Sequence, residues 1–282
     1  MKIQIIFFLM VLVFVGCSSA PKRPAEIFTN RNTAETRLGD VNRETDRGNY
    51  EKAIEMLGEV RRLVVSTDDP RLLIQEGLAR GNILYSLDQK VEARSVWEDA
   101  LKEAEVSGEK ELASAVKIYL ARSRLFEDPN SANEVKTTVN REISSMRKER
   151  QFIALGWIVI GLAEKELGRW TDGENAIKRA LAIHENDNYL EQAAYAWYLI
   201  ASIRNSAGQH NQALEALQRA IAFDRRAENT YGLGMDWRAV GDIHRRIGNQ
   251  RESTAAYNRA LEIFRSMDLS AEADTVEARL AR

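Results

Sequence analysis

Histidine and cysteine are the side chains with which this chain could most readily bind a metal ion or attack a substrate. The sequence has three histidines, His184, His210 and His244, and a single cysteine, Cys17. No two of these residues have the short spacing that metal ligands require. Glycine-rich phosphate loops of the types G-x-x-x-x-G-K-S/T and G-x-G-x-x-G do not occur. We therefore expect no catalytic residue, no metal site and no cofactor, and we expect that the protein is not an enzyme.

Cys17 could instead carry a lipid. Residues 3–15 are apolar apart from Gln4 and follow a short positive start, which is typical of a secretory signal and too short for an ordinary membrane span. Residues 14–17, with the sequence Phe-Val-Gly-Cys, resemble a bacterial lipobox, in which a small residue precedes a cysteine that becomes acylated. The resemblance implies a lipoprotein signal peptide at 1–16 and lipidation of Cys17. The alternative is an ordinary signal peptide whose cysteine has no role.

The residues after the cysteine indicate a tether. The segment 17–33 contains Pro21 and Pro24 and has few apolar side chains, so we expect it to link the lipid flexibly to the folded part. Ser18 follows the cysteine, as in lipoproteins that are sorted to the outer membrane. The expected location is therefore the bacterial cell envelope, with a lipid anchor in the outer membrane and the protein facing the periplasm.

The charge of the chain argues against a nucleic-acid partner. The sequence has 40 basic and 42 acidic residues, and they are spread along the chain rather than grouped. A surface that binds phosphates requires an excess of lysine and arginine on one face. Spread charges are instead expected on the solvated faces of helices. We therefore expect a protein or peptide partner, attachment to a membrane through the lipid, and no nucleic acid.

A repeat of 40 residues organises the chain. Trp157, Trp197 and Trp237 are 40 residues apart, and the same spacing separates a small residue, a glycine and an alanine later in each unit. These equivalent residues are Gly161, Ala201 and Gly241, then Gly168, Gly208 and Gly248, then Ala180, Ala220 and Ala260. Apolar residues recur at helical spacing on both sides of the glycine. Each unit therefore predicts two helices joined by a glycine turn.

These units resemble tetratricopeptide repeats in their tryptophan, small residue, glycine and alanine positions. The period is longer than the usual 34 residues, and the final proline of that pattern is replaced by Glu185, Arg225 and Arg265. Because no proline stops the second helix, we expect the helices to extend at the junctions between hairpins. The small residues should let paired helices approach closely, and each tryptophan should pack between the two helices of its hairpin. The resemblance implies an all-α fold, a right-handed tetratricopeptide-like solenoid.

The 40-residue frame also extends beyond the three clearest units. We expect six hairpins within residues 34–268, beginning near residues 34, 74, 114, 154, 194 and 234. The third hairpin is irregular, because Asp128 and Pro129 replace the glycine turn. Residues 269–282 should form a capping helix, which repeat arrays need at their ends.

Capping residues mark several of the predicted helix starts. Asp69 precedes Pro70, which favours an N-cap followed by a first helical residue. Thr171 and Asn249 each precede a glutamate by three residues, a spacing typical of a capping box. Both residues are therefore predicted N-caps of second helices.

The resemblance also implies where a partner would bind. In tetratricopeptide proteins the first helices line the concave side, mostly through their second, fifth, ninth and twelfth positions. The ninth positions here are Asn42, Asn82, Arg122, Leu162, Ser202 and Asp242. Leu162 is the apolar exception, and the predicted partner-binding residues around it are Leu155, Leu162, Tyr195, Tyr198, Arg238 and Arg245. The alternative is that Leu162 and its helix are buried in the core.

These observations favour a membrane-anchored scaffold or adaptor that binds a protein or peptide partner in the bacterial cell envelope. The alternative function is a binding component for a small apolar ligand or solute in an envelope transport system, with the patch around Leu162 as its pocket. A closed cavity would favour the small ligand, whereas an open groove would favour a peptide.

Overall fold

The computed structural model describes residues 29–281, which form an array of helical hairpins. The hairpins are α1 (Thr29–Asp46) with α2 (Tyr50–Thr67), α3 (Pro70–Ser86) with α4 (Lys90–Ser107), α5 (Lys110–Glu127) with α6 (Ala132–Ser145), α7 (Arg150–Glu166) with α8 (Trp170–Asn186), α9 (Leu190–Ser206) with α10 (His210–Ala227), and α11 (Thr230–Arg246) with α12 (Gln250–Ser266). A last helix, α13 (Ser270–Leu280), follows. Within this part of the chain, none of the helices is long and apolar enough to cross a membrane. The predicted signal peptide and the lipidation site Cys17 lie outside the described residues.

The helix starts keep the 40-residue frame, but they fall about four residues before the predicted unit boundaries. From Pro70 to Ser270, each first helix begins 40 residues after the one before it. Helix α13 thus occupies the place of a further first helix and covers most of the segment that we predicted to be a cap. Helix α1 begins at Thr29, so residues 29–33 are helical, although we expected them in the tether.

The turns within the hairpins confirm the predicted role of the glycines. Gly168, Gly208 and Gly248 have φ values between 71° and 82°, a left-handed conformation that ends a helix. Four of the junctions that follow a second helix use the same conformation with non-glycine residues, which the sequence did not reveal to us. These junction residues are Asp68, Asn188, Glu228 and Asp268, whereas the junction after α4 uses Gly108.

The second helices extend through the positions where the repeat pattern has lost its proline. Helix α8 continues past Glu185, α10 past Arg225 and α12 past Arg265. Proline would remove a backbone donor and clash with the preceding turn, so its absence permits these longer helices. The predicted extension at the hairpin junctions is confirmed.

Small residues in the first helices do allow close approach. A Cβ atom at Gly161 would lie 2.5 Å from Ile177, and one at Gly241 would lie 2.6 Å from the Tyr257 ring. Both partners belong to the second helix of the same hairpin. The predicted close contact between paired helices is therefore confirmed.

The third hairpin departs from the others, as predicted. Asp128 ends α5 in an extended conformation, and a short 3-10 helix (Pro129–Ser131) takes the place of the glycine turn. The helix that follows, α6, has only 14 residues. This hairpin is the one interruption of the regular turn pattern among the six that the structure describes.

The capping predictions have mixed outcomes. Asp69 accepts hydrogen bonds from the backbone N–H groups of Arg71 and Leu72, which confirms it as an N-cap. Asn249 occupies an N-cap position without a capping hydrogen bond from its side chain. The prediction for Thr171 was wrong, because α8 already begins at Trp170 and places the threonine inside the first turn.

The three repeated tryptophans lie at the edge of the core rather than in its centre. Trp157, Trp197 and Trp237 are half-buried, with one face against the core of their hairpins. The guanidinium of Arg179 lies 4.4 Å from the Trp157 ring centre, so an arginine on the second helix covers the other face. Trp97, on a second helix, is instead fully buried. We predicted that each repeated tryptophan packs between the two helices of its hairpin, and the half-burial of all three side chains shows that this packing is only partial.

Candidate functional site

The first helices of five successive hairpins enclose a cavity of about 560 Å³, called here the concave cavity. Its walls come from α1, α3, α5, α7 and α9, with a smaller part from the end of α8. Repeat positions two, five and nine are three or four residues apart, so they share one face of each helix. The lining residues at these positions include Glu35, Leu38, Asn42, Gln75, Leu78, Asn82, Arg122, Leu155, Ile158 and Tyr195.

The structure brings some of the predicted partner-binding residues together. Leu155 and Tyr195 line the concave cavity. The Tyr195 ring stacks on Tyr198 with 6.3 Å between ring centres and an angle of 12°. Tyr198 in turn forms a hydrogen bond with Arg238, and burial raises the pKa of the tyrosine hydroxyl. These four residues form a continuous surface that leads from the cavity along α9 towards α11.

The other two predicted residues lie elsewhere. Leu162 is half-buried between the two largest apolar clusters and is absent from the cavity wall. The Arg245 guanidinium lies 4.7 Å from the Tyr257 ring centre and donates a hydrogen bond to the Arg279 carbonyl oxygen. Because Arg245 is held by its own hairpin and by α13, it is not part of the surface around Tyr195.

Arg122 is a cavity residue that we did not include among the predicted site residues. Its guanidinium donates a hydrogen bond of 2.5 Å to the Asn82 side-chain oxygen and lies 4.9 Å from the Tyr119 ring centre. Its Nε atom is buried without a hydrogen-bond partner within residues 29–281. The signal in the sequence was its ninth position in a series that runs Asn42, Asn82, Arg122.

The second arginine of the concave cavity is already neutralised. Arg71 forms an ion pair of 3.2 Å with Glu109 and another ion pair with Glu149. The hydrogen bond with Glu149 is the main reason that the pKa of Arg71 is raised. Among the residues that the structure describes, Arg122 makes no such ion pair, so it is the cavity arginine that could receive an anionic group from a ligand.

Neutral polar groups complete the middle of the cavity. His184 is buried, its ring meets Tyr189 edge to face, and neither ring nitrogen has a partner in the described chain. Burial lowers the pKa of His184 to about 4, so the imidazole is neutral near pH 7 and offers one donor and one acceptor. Side-chain amides contribute further donor and acceptor pairs at Asn42, Gln75, Asn82, Gln151 and Gln192.

One end of the cavity is acidic. The Asp46 carboxylate accepts a hydrogen bond of 3.0 Å from the Gln192 amide. Solvent still reaches Asp46, but the protein around it and the neighbouring Glu191 raise the pKa of the Asp46 carboxyl to about 7. The acidic residues at this end of the cavity are Asp46 of the first hairpin and Glu191 of the fifth.

A second concavity of about 640 Å³ lies between α9 and α10 and shares no lining residue with the concave cavity. It is wider open, it is confined to one hairpin, and its lining includes Trp197 and Arg204. The Arg204 guanidinium already pairs with Glu174 at 2.7 Å, and this hydrogen bond is the main cause of the lowered pKa of Glu174, about 2. We therefore place the candidate site in the concave cavity.

Comparison with protein families supports the repeat assignment. Residues 192–266 match the family described as tetratricopeptide repeat. A comparison with curated proteins finds no match. The resemblance to tetratricopeptide repeats is therefore confirmed by a family match over the fifth and sixth hairpins.

Solved structures share the fold. A Rap protein in complex with competence and sporulation factor has a TM-score of 0.61 and 16% identity, covering 90% of this chain and 76% of that one. PilW, a type IV pilus biogenesis factor, has a TM-score of 0.52 and 13% identity, covering 86% and 98%. PlcR of Bacillus thuringiensis, in complex with the peptide PapR7 and DNA, has a TM-score of 0.54 and 13% identity, covering 89% and 76%. The described chain is thus a tetratricopeptide-like solenoid.

Proposed function

We propose that this protein is a scaffold or adaptor that holds an extended peptide segment of a partner in the concave cavity. A lipid on Cys17 would attach the protein to the bacterial envelope, in the outer membrane and facing the periplasm. The observation that carries the proposal is the set of side-chain amides around Arg122 on the inner faces of successive first helices.

A side-chain amide has one carbonyl acceptor and one NH₂ donor, as a peptide group has one acceptor and one donor. Asn42, Gln75 and Gln151 can therefore bind backbone groups of a ligand without regard to its side chains. Packed helices lie about 8–10 Å apart, and an extended peptide rises about 3.3 Å per residue, so each hairpin would contact roughly three ligand residues. Several hairpins together would bind a short extended segment.

Arg122 adds a preference for one charge. Its guanidinium lines the cavity without an ion-pair partner among residues 29–281, and the aromatic face of Tyr119 holds it in place. A ligand carboxylate, from an acidic side chain or a chain terminus, would form a charge-assisted hydrogen bond with it. Apolar ligand residues would contact Leu155 and Tyr195. The proposed ligand is therefore an extended peptide with a carboxylate next to apolar side chains.

The solved structures support the coarser part of this proposal. The Rap protein is described in complex with competence and sporulation factor, PlcR in complex with a peptide and DNA, and PilW as a type IV pilus biogenesis factor. A peptide ligand and an envelope process are thus both compatible with this fold. The lipid anchor and the envelope location rest on the resemblance of residues 14–17 to a lipobox.

A small apolar ligand is the second candidate, and the volume of the cavity favours it. A volume of about 560 Å³ is within the usual range for small-molecule pockets, about 300–1,000 Å³. Such pockets are mostly apolar with a few polar groups. The wall here combines two arginines, two acids and five amides with its apolar residues, so the peptide remains the better match.

Peptide selection on the mature chain tests the proposal. Peptides from a random display library would be selected, and their affinity would be measured by fluorescence polarisation with wild type and two variants. Arg122→Gln keeps a donor for Asn82 but removes the charge, and it should weaken binding by about tenfold, or 1.4 kcal/mol. Arg124→Gln is the matched control, because Arg124 is exposed and pairs with Glu134 outside the cavity. Equal affinity for both variants would refute this site.

A further inference from the structure

We propose that the turn of the first hairpin is a gate that closes the concave cavity against α9 and α11 and opens reversibly. The gate turn consists of residues 46–50. This inference rests on the proposed function only for the identity of the ligand that passes the gate. The closure itself is a property of the protein without ligand.

Three contacts close the gate. The Tyr231 ring packs directly on Gly48, where a Cβ atom would lie 2.6 Å from the ring. Tyr50 lies beside Tyr231 and helps to raise the pKa of its hydroxyl, and Gln192 donates a hydrogen bond of 3.0 Å to Asp46. These residues are 146 to 183 positions apart in the sequence. The gate turn therefore links the first hairpin to the fifth and sixth, across one end of the cavity.

The closure is much weaker than the stacking of neighbouring hairpins. Each apolar cluster in residues 29–281 joins hairpins that follow one another in the chain, and the cluster of the first hairpin reaches only into the second. No such cluster crosses from the gate turn to α9 or α11. A contact made of a tyrosine ring on a glycine and a side-chain hydrogen bond can open while the stacked helices stay folded. Solenoids allow this motion through small changes between successive hairpins.

Charge gives the gate a way to respond to pH. Asp46 on the gate turn lies near Glu191 on α9, and this acidic neighbour is one cause of the raised pKa of Asp46. Once both carboxyls are ionised, they repel each other across the closure. Other charged or titratable groups facing the closure are Arg47 and Tyr50 on the gate turn, Asp224 on α10, Tyr231, Asp236 and Arg238 on α11, and Glu272 on α13.

The direction follows from the pKa of Asp46, which the surrounding protein and Glu191 raise to about 7. The closed gate holds the Asp46 proton more tightly than the open gate does. Protonation therefore favours the closed form below about pH 7, and the closed form loses this support as pH rises through that value. The gate should be closed in mildly acidic solution and should open in mildly alkaline solution.

Pulsed electron paramagnetic resonance tests the gate without any ligand. Spin labels would be placed at two exposed positions across the closure, Glu51 and Arg225, in a Cys17→Ser background that removes the only native cysteine. A single short distance is expected at about pH 5.5, and a second, longer distance at about pH 8.5. Labels at Arg225 and Arg251, both in the last two hairpins, provide the control pair that should not change.

Two variants locate the cause of the movement. Asp46→Asn keeps an acceptor for Gln192 but has no proton to lose, so its label distance should stay short at both pH values. Gln192→Glu replaces the donor by a third carboxylate and should show the longer distance even at the lower pH. Both side chains line the cavity and lie outside the core, so neither change should disturb the core. Circular dichroism would verify that the helicity is unchanged. Identical distance distributions for wild type at the two pH values would overturn the gate.

The selected peptides then separate this inference from the proposed function. Faster peptide association at the higher pH, lost in Asp46→Asn, would support the gate and the site together. A pH-dependent distance with no peptide binding would leave the gate standing and overturn the site. Peptide binding that depends on Arg122, with no change in label distance between the two pH values, would support the site and overturn the gate.

Discussion

The replacement Asp236→Asn should stabilise the protein near pH 8 and remove much of its pH dependence. Asp236 and Asp224 are buried together between α10 and α11, where they are 2% and 3% exposed. Asn229 donates a hydrogen bond of 2.9 Å to Asp224, and one oxygen of Asp236 has no partner in residues 29–281. Burial raises the pKa of Asp224 to about 7, and burial and Asp224 raise the pKa of Asp236 well above its usual value. The two carboxyls therefore share protons that the unfolded chain would release.

The size of the effect follows from proton linkage. Between about pH 4 and pH 7 the folded protein binds more protons at this pair than the unfolded chain does, so the free energy of unfolding falls as pH rises. For Asp224, the rise from 3.8 to about 7 sets an upper bound of about 4 kcal/mol, at about 1.4 kcal/mol per pKa unit. Since the pair shares its protons and can relax, we expect about 2 kcal/mol. For a domain of this size that corresponds to a decrease of about 4–8 °C in melting temperature between pH 5 and pH 8.

Thermal melts followed by far-UV circular dichroism would measure this. Wild type, Asp236→Asn and the control Asp274→Asn would be compared at several pH values, since Asp274 is exposed on α13. The amide keeps a polar group of the same shape but cannot ionise, so its melting temperature should change less with pH than that of wild type. A wild-type protein that melts higher at pH 8 than at pH 5, or an Asp236→Asn variant with unchanged pH dependence, would refute the reasoning.

Three further predictions concern the anchor, the tryptophans and Leu162. Cys17→Ser should move the protein from the membrane fraction to the soluble fraction or leave its precursor uncleaved, because the acyl chains contribute about 0.8 kcal/mol per buried CH₂; unchanged detergent-dependent extraction would contradict lipidation. Trp97→Ala should cost about 3–5 kcal/mol in urea unfolding, and Trp197→Ala clearly less, because Trp197 is half-buried; equal losses would contradict the difference in burial. Leu162→Asp should lower the melting temperature strongly, because it places a carboxylate between two apolar clusters. An unchanged melting temperature would show that Leu162 is a surface residue.

Local rules were enough to predict the hairpins. The spacing of the tryptophans, the glycines at the turns and the missing proline each act within one repeat, so their effects could be deduced from sequence alone. The left-handed junctions at Asn188 and Glu228 were missed because the sequence signal for positive φ is glycine, which adopts it without strain. Other residues can also adopt this conformation at a small energetic cost, and their identity does not mark the position. The half-burial of Trp157 was missed because repeat periodicity identifies a helix face but not how deeply that face is covered.

The gate could not be predicted by the same means. Gly48 meets Tyr231 because the stacking of successive hairpins brings the first hairpin next to the sixth. The irregular third hairpin, with Asp128 and Pro129 at its turn, lies between them, so its geometry affects a contact that no repeat pattern describes. Contacts of this kind depend on accumulated geometry rather than on the properties of either residue.

The solenoid also gives different roles to residues that are equivalent in the repeat. At the ninth position, Asn42, Asn82 and Arg122 line the concave cavity. In the later hairpins the same position is used for packing and internal bonds. Leu162 packs between apolar clusters, Ser202 accepts a hydrogen bond from Lys165, and Asp242 binds Tyr257 and Arg279.

The residues that line the candidate site lie mostly outside the part of the chain that matches the repeat family. The match to the tetratricopeptide repeat family covers residues 192–266, whereas most of the cavity amides and Arg122 come from the first four hairpins. The first four hairpins thus lie outside the family match and provide most of the cavity wall. If the proposed site is correct, ligand preference should be sought in these hairpins rather than in the part of the chain that carries the family match.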